Sequence, residues 1–201
     1  MKSGLGWVAG WRLARKTHFQ EGFLLSWTDV LVPCLAGCYH EGMKDKVAKT
    51  NAMRILDRNG VKYDVVTYEV DEEHLDAVHI ANASGLNLEQ VFKTIVMVNQ
   101  ANELFVFCLP AQLDISLKKA RELTGSKSID LLKLDLLQKY TGYIRGGCSP
   151  LGMIHGYPTF IEELATIEDS IYVSGGLRGV QLHLSPEDLR RCCNATFASF
   201  T

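Results

Sequence analysis

The sequence predicts an α+β domain built on a mixed β-sheet, and three observations support this fold class. Strand-like and helix-like segments interleave irregularly from residue 43 onward. Two apolar runs, 91–98 and 104–109, flank the polar turn 100–103, which is typical of a β-hairpin. A second hairpin is predicted around Ser174-Gly175-Gly176, between two short runs rich in Val and Ile.

The predicted elements follow in order along the chain. The predicted strands are 63–68, 91–98, 104–109, 128–132, 170–173 and 180–184. The first predicted helix has the apolar stripe Ala48, Ala52, Ile55 and Leu56 and ends at Gly60. Three further helices are predicted over 74–84, 116–123 and 134–140, and a last helix begins after Ser185. Ser185 is the predicted N-cap of that last helix, and the proline and two acids after it suit a first turn.

The composition is that of one globular domain in a reducing compartment. The chain has 201 residues, of which 47% are hydrophobic, and a net charge of -2. This overall charge does not drive tight, non-specific binding to nucleic acid, and a local basic patch remains compatible with it. The six cysteines form no regular framework, so we expect reduced thiols and a cytoplasmic protein. No apolar run is long enough to span a bilayer, so we expect no membrane association.

The chain is predicted to divide near Met43. All three tryptophans precede this residue, and the stretch 1–42 shows no sustained period. We interpret 1–42 as an N-terminal extension, namely a tag, an upstream translated stretch or a poorly ordered arm, and 43–201 as the domain. The alternative is an N-terminal element that packs its tryptophans on the domain or on a partner. Residues 43–201 hold 17 basic and 20 acidic residues, a net charge of −3.

Lys93 is the first candidate for chemistry. It lies inside the apolar run 91–98, where alternation places it on one face with Val91, Ile95 and Met97. A lysine on an apolar face is costly unless it is paired or faces a cleft, where it can hold a phosphate or polarise a substrate oxygen. The alternative is a lysine near a strand end whose ammonium reaches solvent.

Two glycine-rich segments are the next candidates. The segment 146–152, Gly-Gly-Cys-Ser-Pro-Leu-Gly, fixes an unusual backbone path that can direct N–H groups at a developing oxyanion. It lacks the lysine of a phosphate-binding loop, and an ordinary connector is the alternative. In 172–179 a strand ends at Ser174 before two glycines, which places this serine at the rim of a sheet, unless the segment is only a hairpin turn.

Cysteine chemistry is not favoured. No histidine is tied to Cys148 by a motif, so a thiolate nucleophile is not predicted. Cys34, Cys38 and His40 are three ligand candidates where structural zinc needs four, so no metal is predicted. A redox or metal protein that uses Cys34, Cys38 and the pair at 192–193 is kept as a third hypothesis.

These signals occur together and in order in a chain that resembles the YbaK/EbsC aminoacyl-tRNA deacylases, relatives of the editing domain of bacterial prolyl-tRNA synthetases. The resemblance covers residues 49–197. The matching pieces are Thr67-Tyr68-Glu69, Gly85-Leu86-Asn87, 90–94 (Gln-Val-Phe-Lys-Thr), Gln112-Leu113-Asp114, Thr141-Gly142-Tyr143, 146–152, 171–176 and Arg178-Gly179.

The resemblance implies a partly barrel-like mixed β-sheet with flanking helices and an editing pocket for the acceptor end of tRNA. It implies catalytic roles for Lys93, on the terminal adenosine or its phosphate, and for Gly146 and Gly147, through backbone contacts to the aminoacyl carbonyl. The residues implied to bind substrate are Tyr68, Ser149, Pro150, Ser174, Gly175 and Gln181.

The implied activity is trans-acting hydrolysis of misacylated tRNA, with Cys-tRNA(Pro) the leading substrate and translation fidelity the outcome. In this family the thiol of the substrate itself can attack the ester, so neither a protein nucleophile nor a cofactor is implied. The implied partners are aminoacyl-tRNA and prolyl-tRNA synthetase, and DNA is not among them. The alternative is a non-catalytic module that binds tRNA ends or the synthetase.

Two departures from the cysteine-specific member of the family leave the amino acid open. That member has an aspartate where Gln181 stands and an aromatic residue near the position of Asp76. Both positions border the amino-acid pocket, so Ala, Ser, Pro or another small aminoacyl group remains an alternative to Cys.

Overall fold

The computed structural model describes residues 47–71, 73, 75 and 77–201. The predicted extension 1–42, with its tryptophans and the metal candidates Cys34, Cys38 and His40, lies outside the described residues, and so does the predicted boundary at Met43.

The described residues form five α-helices, one 3-10 helix and eight β-strands. The helices are α1 (Asn51–Arg58), α2 (Ala77–Ser84), α3 (Leu117–Thr124), α4 (Leu134–Thr141) and α5 (Pro186–Cys193), and the 3-10 helix is Glu163–Ile167. The strands are β1 (Asp64–Thr67), β2 (Phe92–Asn99), β3 (Leu104–Pro110), β4 (Ile129–Leu131), β5 (Thr159–Glu162), β6 (Ile171–Ser174), β7 (Val180–Leu184) and β8 (Thr196–Ala198).

The strands form two sheets. The smaller sheet is antiparallel with the order β1-β7-β6, and the larger sheet is mixed with the order β4-β2-β3-β5-β8. In the larger sheet β5 is parallel to both of its neighbours. The sheets meet at a parallel bridge between Val91 and Tyr172, where the N–H of Tyr172 donates to the Gln90 carbonyl at 2.8 Å. The α+β class and the mixed sheet are therefore confirmed, and the described residues form no closed barrel.

The helix ends follow the capping residues of the sequence. The Thr50 hydroxyl accepts a hydrogen bond from the Met53 N–H at 3.2 Å and begins α1. Gly125 ends α3 in the left-handed region, at φ 66°, where glycine carries no Cβ penalty. Ser185 stands at the predicted N-cap of α5, but its side chain makes no capping hydrogen bond within the described chain. Proline and two acids in the first turn still favour this helix start.

The core surrounds β3, the middle strand of the larger sheet. All seven of its residues are buried, because the sheet is covered on both faces. The Phe107 ring stacks on Phe160 at 5.3 Å between centroids and meets Phe200 edge-on at 5.0 Å. These contacts fix the sheet that carries Lys93 on its neighbouring strand.

Two strands were not predicted from the sequence. β5 has four residues and β8 has three, and β8 pairs only with β5 at the edge of the sheet. Such short runs show no alternation that distinguishes them from loops, so they depend on tertiary pairing.

Glu162 ties the end of the described chain to the larger sheet. Its carboxylate is buried, at 1% exposure, and its Oε2 accepts hydrogen bonds from the N–H groups of Phe200 at 2.8 Å and Thr201 at 3.0 Å. Two charge-assisted bonds compensate for the burial of this carboxylate.

We expect Glu162→Ala to lower the free energy of unfolding by about 2–3 kcal/mol, because two N–H groups lose their acceptor. Urea unfolding of this variant beside Glu163→Ala, which changes an exposed neighbour, measures the effect. Equal stabilities of the two variants would contradict the role of Glu162.

Candidate active site

A cavity of about 650 Å³ opens between the end of the smaller sheet, α2, β2, the corner between β4 and α4, and the glycine-rich loop 146–152. It is lined by Tyr68, Leu75, Ala77, Ile80, Val91, Phe92, Lys93, Thr94, Ile95, Val96, Leu131, Leu132, Lys133, Leu134, Leu137, Arg145, Gly146, Cys148, Ser174 and Gln181. A mainly apolar cavity of this size with a few polar groups is typical of a ligand site.

Lys93 lies on the wall of this cavity, near the start of β2. Its side chain is 25% exposed, and its Nζ lies 3.4 Å from Oδ1 of Asp114, a carboxylate that is fully exposed. Water screens a pair with such an exposed partner, so the ion pair is weak. The ammonium can therefore exchange Asp114 for an anionic substrate group at little cost.

The end of the smaller sheet contributes a polar group of three residues. Ser174 of β6 pairs with Gln181 of β7, and Tyr68 follows β1, with its N–H bonded to the Gly179 carbonyl at 3.0 Å. Gln181 is 5% exposed, and its Oε1 has no hydrogen-bond partner among the described residues. Burial raises the pKa of Tyr68, which keeps its hydroxyl neutral and able to donate a hydrogen bond.

The glycine-rich loop reaches the cavity at Gly146 and Cys148, and its next residues are buried behind the cavity wall. Gly146 has φ +82°, and its N–H makes no hydrogen bond to another described residue. The N–H of Gly147, by contrast, donates to the Ile144 carbonyl at 3.0 Å. Both glycines are predicted to contact the aminoacyl carbonyl, and in this conformation the N–H of Gly146 is free to donate to it.

Ser149, Pro150 and Gly175 do not line the cavity. The Ser149 side chain is fully buried and accepts from the Leu151 N–H at 3.3 Å, and the Pro150 carbonyl accepts from the Cys193 thiol at 3.4 Å. Ser149 and Pro150 therefore hold the loop in place behind the cavity wall. A direct contact of any of them with substrate remains a prediction from the resemblance.

Close backbone packing joins the glycine-rich loop to the turn after β6. A Cβ at Gly147 would lie 3.2 Å from the backbone nitrogen of Arg178, and Nε of Arg178 donates to the Arg145 carbonyl at 2.9 Å. The buried Tyr143 hydroxyl donates to the Leu151 carbonyl at 2.6 Å and closes the loop. The position of Gly146 is therefore determined by several independent contacts.

Cys148 lines the cavity but is a poor nucleophile. Burial raises the pKa of its thiol to about 12, so at neutral pH only about one thiol in 10⁵ is a thiolate. Near neutral pH the side chain therefore acts as a small apolar group.

We expect Cys148→Ala to retain turnover of the chain's substrate to within about threefold, because no thiolate takes part in the reaction. The pH profile of kcat is the second readout, and near neutral pH it should be the same in the variant and the wild type. Complete loss of turnover in a folded variant would contradict this prediction and would support Cys148 as a nucleophile.

The lining of the cavity is positively charged. Lys93, Lys133 and Arg145 line it, and no carboxylate is among the described lining residues. This local charge contrasts with the net charge of -2 of the whole chain. The cavity is therefore suited to an anionic ligand that the remainder of the protein does not attract.

Other chemistry has less support in the described part of the chain. Ser170 Oγ lies 2.7 Å from Nε2 of His183, whose Nδ1 lies 3.7 Å from Asp64, but none of the three residues lines the cavity and the Asp64 side chain is 85% exposed. No group of three or more potential metal ligands occurs among the described residues. No described helix is long and apolar enough to cross a membrane.

The sequence did not point to several residues of the site. Lys133, Arg145 and the leucines at the corner between β4 and α4 carry no motif, and they reach the cavity only through tertiary folding. Asp114, the ion-pair partner of Lys93, lies in the piece Gln112-Leu113-Asp114 that matched the family. This match was the signal in the sequence that could have pointed to Asp114.

Comparisons with known proteins agree on one family. A family model described as the aminoacyl-tRNA editing domain matches residues 71–192. EbsC of Enterococcus faecalis (strain ATCC 700802 / V583), for which a Cys-tRNA(Pro)/Cys-tRNA(Cys) deacylase activity is proposed, is 39% identical over 153 residues, or 76% of this chain and 93% of EbsC.

Two solved structures share the fold. The crystal structure of the hypothetical protein APE2540 matches with a TM-score of 0.69 at 17% identity, over 75% of this chain and 99% of that chain. The crystal structure of a protein proposed to be a trans-editing enzyme for prolyl-tRNA synthetase matches with a TM-score of 0.64 at 20% identity, over 77% of this chain and 99% of that chain.

Proposed function

Because this chain belongs to the aminoacyl-tRNA editing domain family, we propose that it is a trans-acting aminoacyl-tRNA deacylase whose leading substrate is Cys-tRNA(Pro). The observation that carries the proposal is the convergence of Lys93, Gly146, Tyr68, Ser174 and Gln181 on one cationic cavity. These residues come from separate parts of the chain, and the family resemblance alone implied that they meet.

The geometry supports a division of roles around the ester. Lys93 binds the terminal adenosine or its phosphate, with an ammonium that its weak ion pair with Asp114 leaves exchangeable. The free N–H of Gly146 donates to the aminoacyl carbonyl and stabilises the oxyanion that forms there. Tyr68, Ser174 and Gln181 border the aminoacyl group.

The reaction needs no nucleophile from the protein. A water oxygen bonds to the carbonyl carbon, the ester bond to the ribose oxygen breaks, and that oxygen takes up a proton. With a cysteinyl substrate, the substrate thiol can attack instead, releasing the tRNA and a thiolactone that water then opens. Positioning and oxyanion stabilisation carry the rate in both routes, which fits a cavity whose described lining holds no Ser/His or Cys/His pair.

We further propose that prolyl-tRNA synthetase assists as a partner. Residues 43–201 carry a net charge of −3, so contacts outside the cavity attract tRNA weakly. A synthetase that holds the tRNA would supply the missing affinity. Addition of the synthetase should then lower KM for misacylated tRNA(Pro) without changing kcat.

A panel of Cys-tRNA(Pro), Ala-tRNA(Pro) and Ser-tRNA(Pro) tests the function and its specificity together. We expect release of Cys above the spontaneous rate and faster than release of Ala or Ser. Preferential release of Ala or Ser would keep the reaction and change the substrate. No release from any of the three would leave a module that binds tRNA ends without turnover.

A further inference from the structure

The corner between β4 and α4 presents an exposed ledge to the cavity, formed by Leu131, Lys133 and Leu134. Both leucines line the cavity and yet are 61% exposed, and Lys133 between them is exposed as well. Exposed leucines next to a cation are costly in water but suit a ligand that has both an apolar face and a negative charge. The deacylation step described above does not use this ledge.

The charge at the ledge favours an anion. Lys133 occupies the N-cap of α4, so it adds a positive charge at the end of the helix where the dipole is already positive. Asp135 in the first turn offsets part of this positive charge. A bound phosphate would relieve the remaining repulsion and would add to the attraction of Lys93 and Arg145 on the same cavity.

A single-stranded nucleic acid has the chemistry that the ledge requires. Its phosphodiesters carry the negative charge, and the faces of its bases are apolar surfaces that side chains can cover. Because the ledge residues line the cavity, a strand whose terminal adenosine is in the cavity can leave it across the ledge. On this path the strand meets two exposed leucines and a cation together, which is the combination that suits a base followed by a phosphodiester.

We propose that the ledge binds the nucleotides that precede the terminal adenosine of the RNA, with Lys133 on a phosphodiester and the two leucines against a base. This inference rests on the proposed function, since it takes the RNA end as the occupant of the cavity. It assigns affinity for the RNA strand to Lys133 and leaves the chemistry with Lys93 and Gly146.

Two substrates, one with the RNA strand before the terminal adenosine and one without it, test the inference. With aminoacyl-tRNA, Lys133→Ala should raise KM about 3- to 10-fold with kcat unchanged, and should make the salt dependence of log(kcat/KM) shallower by about 0.7. With 3′-O-aminoacyl-adenosine, which has no phosphodiester, the variant should match the wild type. The control is Lys139→Ala, which removes the same charge from the far end of α4. It should change neither KM nor the salt dependence of kcat/KM.

Direct binding separates this inference from the proposed function. A fluorescein-labelled single-stranded RNA ending in CCA should bind Lys133→Ala about 3- to 10-fold more weakly than wild type or Lys139→Ala. Leu131→Ser should also weaken binding, but with the salt dependence of the wild type. If wild type hydrolyses neither ester, the proposed function fails, and the binding measurement still shows whether the ledge binds RNA.

Two outcomes would overturn the inference. One is equal binding of the RNA by Lys133→Ala and Lys139→Ala. The other is an equal loss by Lys133→Ala on aminoacyl-tRNA and on aminoacyl-adenosine, which would place Lys133 at the ester rather than on the strand.

Discussion

Replacing Lys93 by alanine should lower kcat/KM for the chain's aminoacyl-tRNA substrate by at least about 100-fold, because Lys93 holds the terminal adenosine and its loss lets the ester move away from the Gly146 N–H. Lys93 is a cavity-lining cation whose described ion-pair partner, Asp114, is exposed, so no buried carboxylate is left uncompensated in the variant. The free energy of unfolding should therefore change little. Initial rates and urea unfolding of the same preparation measure both quantities.

The controls separate charge from geometry. Lys93→Arg keeps the charge but replaces a compact ammonium by a planar guanidinium, so it should recover binding of the RNA and only part of kcat. Lys118→Ala removes an exposed lysine of α3 and should leave both kcat and the binding of the RNA unchanged. Wild-type turnover in Lys93→Ala would contradict the catalytic role.

Replacing Gly175 by alanine should affect both stability and turnover. A Cβ at this position would lie 2.7 Å from Cγ1 of Val180, a buried residue whose carbonyl also accepts the Gly175 N–H at 2.9 Å. Because Val180 is buried and its β-branched side chain has little freedom to turn away, we expect a loss of about 1–3 kcal/mol in the free energy of unfolding. The displaced turn carries Ser174, so kcat/KM should fall as well.

Gly156→Ala is the matched control for this substitution. Nothing lies within 4 Å of a Cβ there, and the backbone is not in the left-handed region. Unfolding in urea and the initial rate of deacylation should both match the wild type in this variant. A Gly175→Ala protein as stable and active as Gly156→Ala would show that the turn adapts, contrary to the close packing described here.

Most of the fold could be predicted from the sequence because its elements carry local signals. The run 91–98 and the run 104–109 are apolar and separated by a polar turn, and they form the hairpin of β2 and β3. Glycines with positive φ follow most of the helices, as Gly125 does for α3 and Gly142 for α4. Such signals are short-range, so they need no knowledge of the tertiary structure.

The division into two sheets could not be predicted in this way. β5 and β8 are short, and each depends on pairing with a strand that is distant in sequence. The connection between the sheets is a bridge at Val91 and Tyr172, which no periodicity marks.

The candidate site shows the same limit. Lys93 and Gly146 were predicted as separate features of unusual local sequence, and the resemblance supplied the reason to join them. Lys133 looks like any exposed lysine before a helix, and its place on the cavity depends on how α4 packs beside β2. The buried hydrogen bond of the Gly147 N–H, which separates it from Gly146, is likewise visible only in the structure.

The central claim, that this cavity hydrolyses the ester of aminoacyl-tRNA, is tested most directly by a single-turnover measurement of Cys release from Cys-tRNA(Pro) with enzyme in excess. Excess enzyme removes the effect of weak tRNA affinity, so the rate reports the chemical step. We predict release well above the spontaneous rate for wild type and close to the spontaneous rate for Lys93→Ala. Equal release by wild type, Lys93→Ala and buffer alone would contradict the claim.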